Sequence, residues 1–216
     1  ENVELNNATY WTCFLHGCES VQINNVRIWN DSGTPNGDGI DIDCCQNVTV
    51  SNCIIVSGDD CITFRGNPRR LKKPRICENI VVTNCILSTP RCNAFRVGVG
   101  NGHVRNCTVS NCHIYNTRTG ICIVSKYSST FTPNKENEPE GTTIENINFS
   151  NISMNVTIPI FLGTNVHGSC DDPSKPINGI FFNNLSGKAS RSSLIEGNSD
   201  RKLERVSISG YNFIYT

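Results

Sequence analysis

Apolar and polar residues alternate along this chain in short runs that return again and again. The template is a polar pair, an apolar residue, a variable one, an apolar one, another variable one, Asn, then an apolar residue. It reads Glu19-Ser20-Val21-Gln22-Ile23-Asn24-Asn25-Val26 and Gln46-Asn47-Val48-Thr49-Val50-Ser51-Asn52-Cys53. It returns as Glu78-Asn79-Ile80-Val81-Val82-Thr83-Asn84-Cys85, as Arg105-Asn106-Cys107-Thr108-Val109-Ser110-Asn111-Cys112 and as Glu145-Asn146-Ile147-Asn148-Phe149-Ser150-Asn151-Ile152. Weaker copies begin at Gly179 and Glu204. The first apolar position of successive copies recurs every 26 to 40 residues. A period of two is that of a half-buried strand, and no segment offers a period of 3.6.

One such strand cannot bury its own apolar face. Stacking repeats edge to edge makes a continuous core, the logic of a solenoid. The pattern predicts an all-β, right-handed parallel β-helix of seven to eight coils, forming a single domain over residues 1–216. The recurrent Asn (Asn25, Asn52, Asn84, Asn111, Asn151, Asn184) fits a turn, with its amide able to bond the equivalent residue one coil away. Cys53, Cys85 and Cys112 follow that Asn and are expected to stack inward as small hydrophobes. The Asn-x-Ser/Thr triplets at Asn7, Asn30, Asn47 and Asn106 are expected to be mostly by-products of the repeat. The chain opens directly on a repeat unit, so a preceding cap and an export signal are expected to be missing from it.

Composition narrows the field. The 19 basic and 19 acidic residues leave no net charge, so no global field draws the chain onto nucleic acid or an anionic membrane. No apolar run is long enough to span a bilayer. Thirteen cysteines in a chain this long, without CxxC or Cys/His spacing, suit neither a disulfide scaffold nor a zinc site.

Two acidic, glycine-rich loops interrupt the repeat: Asn36-Gly37-Asp38-Gly39 and Gly58-Asp59-Asp60. Asp38 and Asp59 are 21 residues apart, close to one coil, so the loops should overlie one another. Three carboxylates crowded together cannot all ionise freely, and a protonated acid beside an ionised base is what glycoside hydrolysis requires. Acidic residues in such loops also form turns or bind calcium. Asp41 and Asp43, alternating with Ile40 and Ile42, are expected to face out, solvated or lining a substrate groove.

These loops resemble the polygalacturonase family of glycoside hydrolases, family 28, over Tyr10 to about Ser125. The family carries Asn-Thr-Asp-Gly followed one coil later by Gly-Asp-Asp; here Thr is replaced by Gly37. The resemblance implies that Asp59 is the general acid and that Asp38 and Asp60 hold and deprotonate the attacking water. It also implies inversion without metal or cofactor, and Tyr10-Trp11 is similar to an aromatic pair of the family. Two family motifs are altered. Asn93 stands where the family has His, and Cys122 and Val124 stand where it has the Arg and Lys that grip a substrate carboxylate.

Stacking Ile40, Ile62, Phe95 and Ile121 inward would put Asp41, Thr63, Arg96 and Cys122 in one outward column, with Arg65 beside Asp43 in the next. Arg96, with Arg65, is therefore a candidate to clamp an acidic sugar in place of the missing Arg. A structural ladder of Arg on Asp41 or Asp43 is the equal alternative. His103 and Lys126, with Tyr127, are further substrate-binding candidates, and the segment Arg69-Arg70-Leu71-Lys72-Lys73-Pro74-Arg75 is a solvated loop or a border of the cleft. The leading expectation is a secreted or periplasmic, monomeric hydrolase of a pectin-like polysaccharide, without nucleic-acid or membrane partners. A calcium-dependent lyase and a non-catalytic glycan-binding β-helix are the alternatives.

Overall fold

The computed structural model describes residues 1–126, 141–165, 175–197 and 203–216. It is a right-handed parallel β-helix, all of whose strand pairings are parallel. The template copies form one face: β3 (Glu19–Asn24), β6 (Gln46–Ser51) and β9 (Cys77–Thr83) stack in register, followed by the start of β12 (His103–Lys126) and of β13 (Thr143–Asn165), then β14 (Ile177–Ala189) and β16 (Leu203–Tyr215). A second face runs β1 (Glu4–Asn6), β4 (Arg27–Trp29), β7 (Ile54–Val56), β10 (Ile86–Ser88) and the middle of β12. The third carries the acidic loops: β2 (Cys13–His16), β5 (Ile40–Asp43), β8 (Ile62–Gly66), β11 (Asn93–Gly100), the end of β12, the end of β13 and β15 (Leu194–Glu196). The single helical turn among the described residues is a 3-10 turn at Pro68–Arg70.

Left-handed corner residues turn the chain between faces. Asn25, Asn52, Asn84, Asn111, Asn151 and Asn184 all have φ between 52 and 57°, a conformation Asn tolerates because its short side chain bonds locally. Their amides climb the coil: Asn25 Nδ2 donates to Asn2 Oδ1 (2.8 Å), Asn151 to Asn111 (3.2 Å) and Asn184 to Asn151 (2.9 Å). Asn52 departs from the pattern and donates to Asn24 Oδ1. A second left-handed column occupies the template's polar pair, at Ser20, Asn47, Asn79, Asn106, Asn146, Gly179 and Arg205. There Asn79 donates to Asn47 and Asn146 to Asn106. The triplets at Asn47 and Asn106 are thus ladder positions. Asn30 is only 6 % exposed, with its amide bonded to Thr12 Oγ1 and the Gly37 carbonyl.

The interior is filled by the alternating apolar positions, with Val48, Val50, Ile80 and Val82 wholly buried and Phe149 stacked on Phe182 at 5.7 Å. Cys53, Cys85 and Cys112 are buried free thiols in one column. At Gly98 (φ 102°) the register of β11 shifts against β8; a Cβ there would sit 2.2 Å from the Val124 carbonyl oxygen. No helix among the described residues is long and apolar enough to cross a membrane.

Candidate active site

The acids sit where the third face begins. The Gly39 N–H donates to the Asp60 carbonyl (2.9 Å), and Ile40 pairs with Ile62, so Asp38 lies one strand over from Asp60. Gly58 and Asp59 N–H groups both donate to the Gly37 carbonyl. The contact is close enough to require glycine on both sides: a Cβ at Gly39 would lie 2.5 Å from the Cys61 carbonyl oxygen, and one at Gly58 would lie 2.5 Å from that of Asp31. The Asn36 N–H bonds Asp59 Oδ2 at 3.2 Å. In the following coil Asn93 donates to Asp60 Oδ1 twice, from its backbone N–H (3.0 Å) and from Nδ2 (2.6 Å). The coil therefore brings Asp38, Asp59, Asp60 and Asn93 together.

Electrostatics separates the three acids. Asp38 is 5 % exposed. Burial, reinforced by the charges of Asp41, Asp60 and Asp59 and opposed by Arg65, pushes it up to about 9. Asp60 keeps some exposure as a residue while its carboxylate is enclosed. Burial raises it to about 6, against the nearby Arg96 charge and the two Asn93 hydrogen bonds. At neutral pH the site thus holds a protonated carboxyl beside an ionised one, the division of labour that acid–base chemistry needs. Asp59 is half-buried.

The outward column has the expected register: Asp41 pairs with Thr63, Thr63 with Arg96, and Arg96 with Cys122. Its surroundings differ from expectation. Asp41 is not solvated but fully buried, and burial lifts it to about 7 against the pull of Arg65. Arg65, expected beside Asp43, reaches across to Asp41 Oδ1 at 3.2 Å and lies over the Trp11 ring at 4.1 Å. That geometry is the structural ladder rather than a clamp open to sugar. Arg96 is 4 % exposed, donates to the Val97 carbonyl at 2.6 Å and lends its charge to Asp60. His103 does not stand in for the missing His. It opens β12 and bonds Glu145 at 2.8 Å, while Asn93 lies at the far end of an eight-residue strand, roughly 25 Å long at 3.3 Å per residue. Lys126 ends β12, with its backbone paired to Asn165; its side chain, and all of Tyr127, fall outside the described residues.

Several neighbours escaped sequence reasoning. Phe14, in register with Asp41, is 43 % exposed and stacks between Trp11 and His16 (4.9 and 5.5 Å), so an aromatic ribbon with Tyr10 borders the acids. Alternation within β2 could have marked Phe14 as outward. Cys92 offers its sulfur within 4.8 Å of Asp59 and Asp60, the one grouping among the described residues that could hold a metal ion. Burial and the Asp59 hydrogen bond push its thiol up, away from the thiolate a metal needs.

Known proteins share this architecture. An endo-xylogalacturonan hydrolase from Aspergillus tubingensis superposes with a TM-score of 0.72 at 19 % identity, over 97 % of this chain and 57 % of that one. A polygalacturonase from Erwinia carotovora gives 0.67 at 18 %, over 99 % and 52 %. An exopolygalacturonase of Arabidopsis thaliana is 28 % identical over 193 residues, which are 87 % of this chain and 42 % of that protein. The chain thus spans about two fifths of the length of the curated relatives it matches. Residues 1–215 match the model of glycosyl hydrolases family 28, the family whose paired Asn-x-Asp-Gly and Gly-Asp-Asp loops meet here across one coil, and the chain belongs to that family.

Proposed function

We propose that this protein hydrolyses a pectin-like polysaccharide with inversion, using Asp59 as general acid and Asp38 with Asp60 around the attacking water. The observation that carries this reading is the convergence of Asp38, Asp59 and Asp60 across one coil, with burial and mutual repulsion raising Asp38 above Asp60 where the attacking water would sit. Asp60, ionised above about pH 6, takes the proton from water as its oxygen attacks the anomeric carbon. Asp38, protonated, donates a hydrogen bond that orients the water or its conjugate partner. Asp59 is placed by the family resemblance as the general acid toward the departing glycosidic oxygen. Asn93 holds Asp60 in place through two hydrogen bonds, and Arg96 acts through Asp60 by keeping its carboxylate ionised, rather than by clamping the sugar. The step needs no metal or cofactor. The exposed Phe14 and Tyr10 give a sugar ring an aromatic surface beside the acids. A polymer of this kind lies outside cells, which supports a secreted or periplasmic protein.

The test is the full-length protein on a panel of pectic glycans, with reducing ends and ultraviolet absorbance both followed. New reducing ends without an absorbing product, lost at least a thousandfold in Asp59→Asn with binding retained, support the hydrolase. An absorbing product that vanishes with chelator indicates the lyase. One observation favours a non-catalytic glycan binder: Asn93, Cys122 and Val124 replace the family's His, Arg and Lys. Saturable binding with no turnover on any glycan would establish it.

A further inference from the structure

The segment after β8 is not a free loop. Asn67 N–H donates to Asp43 Oδ1 at 2.8 Å, and Pro68 packs near Gly102. Leu71 lies so close over Gly17 that a Cβ there would meet its Cδ2 at 2.5 Å. Arg75 Nη1 reaches both the Gly17 carbonyl and Glu19 at 3.4 Å. The segment is therefore a strap that starts at the end of β8 and returns over the end of β2, whose His16 pairs with Asp43 and Asp43 with Arg65. It crosses the strand ends of the face whose strand starts carry the acids, roughly 20 Å away at 3.3 Å per residue.

Four cations ride on this strap. Arg69, Arg70, Lys72 and Lys73 are exposed, and none of their side chains has an ion pair or hydrogen bond among the described residues. At the strand starts lie Asp59 and Asp60 beside a protonated Asp38, while Arg65 is engaged with the buried Asp41 and Arg96 lies beside Asp60. Such a groove repels an anionic polymer unless local cations offset it, and the chain as a whole has no net charge to do so. The family's cationic clamp is replaced by Cys122 and Val124.

We propose that the strap at 67–75 is an exosite for a polyanionic glycan, with Arg69, Arg70, Lys72 and Lys73 binding carboxylates of a uronate-rich chain laid along the groove. This rests on the hydrolase reading for the groove's use and deepens it by naming an unesterified, uronate-rich backbone as the ligand. The strap acts on binding and not on bond cleavage, because the Debye length of about 10 Å at 0.1 M salt screens its charge from the acids.

The experiment compares the full-length protein with R69Q/R70Q/K72Q/K73Q. Binding to polygalacturonate, to its methyl ester and to a short DNA duplex is measured from 20 to 500 mM NaCl, with kcat and KM on polygalacturonate. The expected result is a roughly tenfold weaker Kd and higher KM in the variant at low salt. The difference disappears at high salt, kcat is unchanged, and the methyl ester binds both proteins alike. Equal polygalacturonate binding by the two proteins at low salt overturns the exosite, as does DNA binding as tight as that of polygalacturonate. Charge-dependent glycan binding without any turnover keeps the exosite and removes the hydrolase; turnover with binding untouched by the substitutions does the reverse.

Discussion

The asparagine corners and the acidic rim are built by the same device, like residues stacked one coil apart, and they have opposite energetic character. At the corners, Asn25, Asn84, Asn151 and Asn184 donate to the side-chain carbonyl of the Asn one coil before, so neutral amides satisfy one another and the column favours the fold. At the rim, Asp38, Asp41 and Asp60 cannot neutralise each other, and burial and mutual repulsion raise all three above the ordinary carboxylate range. A neutral ladder holds the coil; a charged one strains it and stores protons for chemistry. Arg65 and Arg96 moderate that strain, one on Asp41 and the other near Asp60.

Arg65 carries the largest of these effects. Arg65→Ala leaves the buried Asp41 without its counter-charge and should cost about 2–4 kcal/mol at pH 8 by denaturant unfolding. The cost shrinks at pH 5, where Asp41 protonates, and Arg65→Ala with Asp41→Asn should recover most of it. Equal losses at both pH values would mean that packing on Trp11, not charge, is what Arg65 supplies.

Asp38 tests the rim from the other side. Its folded-state value lies above that of the unfolded chain, so the native state binds the extra proton and stability falls as pH rises between about 4 and about 9. Asp38→Asn removes that penalty. Thermal unfolding at pH 8 should show a gain of roughly 1–3 kcal/mol that fades below pH 5, while turnover is lost. A variant less stable than the parent at pH 8 contradicts the account.

Arg96 sharpens the assignment of the base. Because Arg96 holds Asp60 down, Arg96→Gln should move the acidic limb of kcat/KM upward from about pH 6, by about one unit. A raised KM with an unmoved limb would make Arg96 a sugar ligand instead. The smallest effect belongs to the neutral ladder. Asn151→Ala forces a left-handed Ala and removes bonds to Asn111 and Asn184, costing about 1–2 kcal/mol, with Asn151→Gly costing less and neither dependent on pH.

Alternation at period two gave away the coil, because stacking reads the same interior and exterior positions in every turn. The Asp loops were legible for the same reason: register follows once Ile40 is set on Ile62. The second asparagine column hid inside the template's polar pair, where nothing in the residue types distinguishes a turn from a solvated strand edge. Direction of reach was equally hidden. Alternation puts Asp41 on the outer side of the sheet, but whether that side is wet depends on Arg65 and Trp11 folding over it, and long side chains choose partners that strand register does not dictate. His103 looked near Asn93 in sequence, yet an eight-residue strand runs between them.

In the proposed hydrolysis Asp38 and Asp60 hold a water on the face of the sugar opposite the leaving group that Asp59 protonates. Proton NMR of the full-length protein acting on an α-linked oligogalacturonide reads this directly, in the anomer released before mutarotation. The β-anomer is expected first. An initial α-anomer, or an unsaturated end, would contradict it.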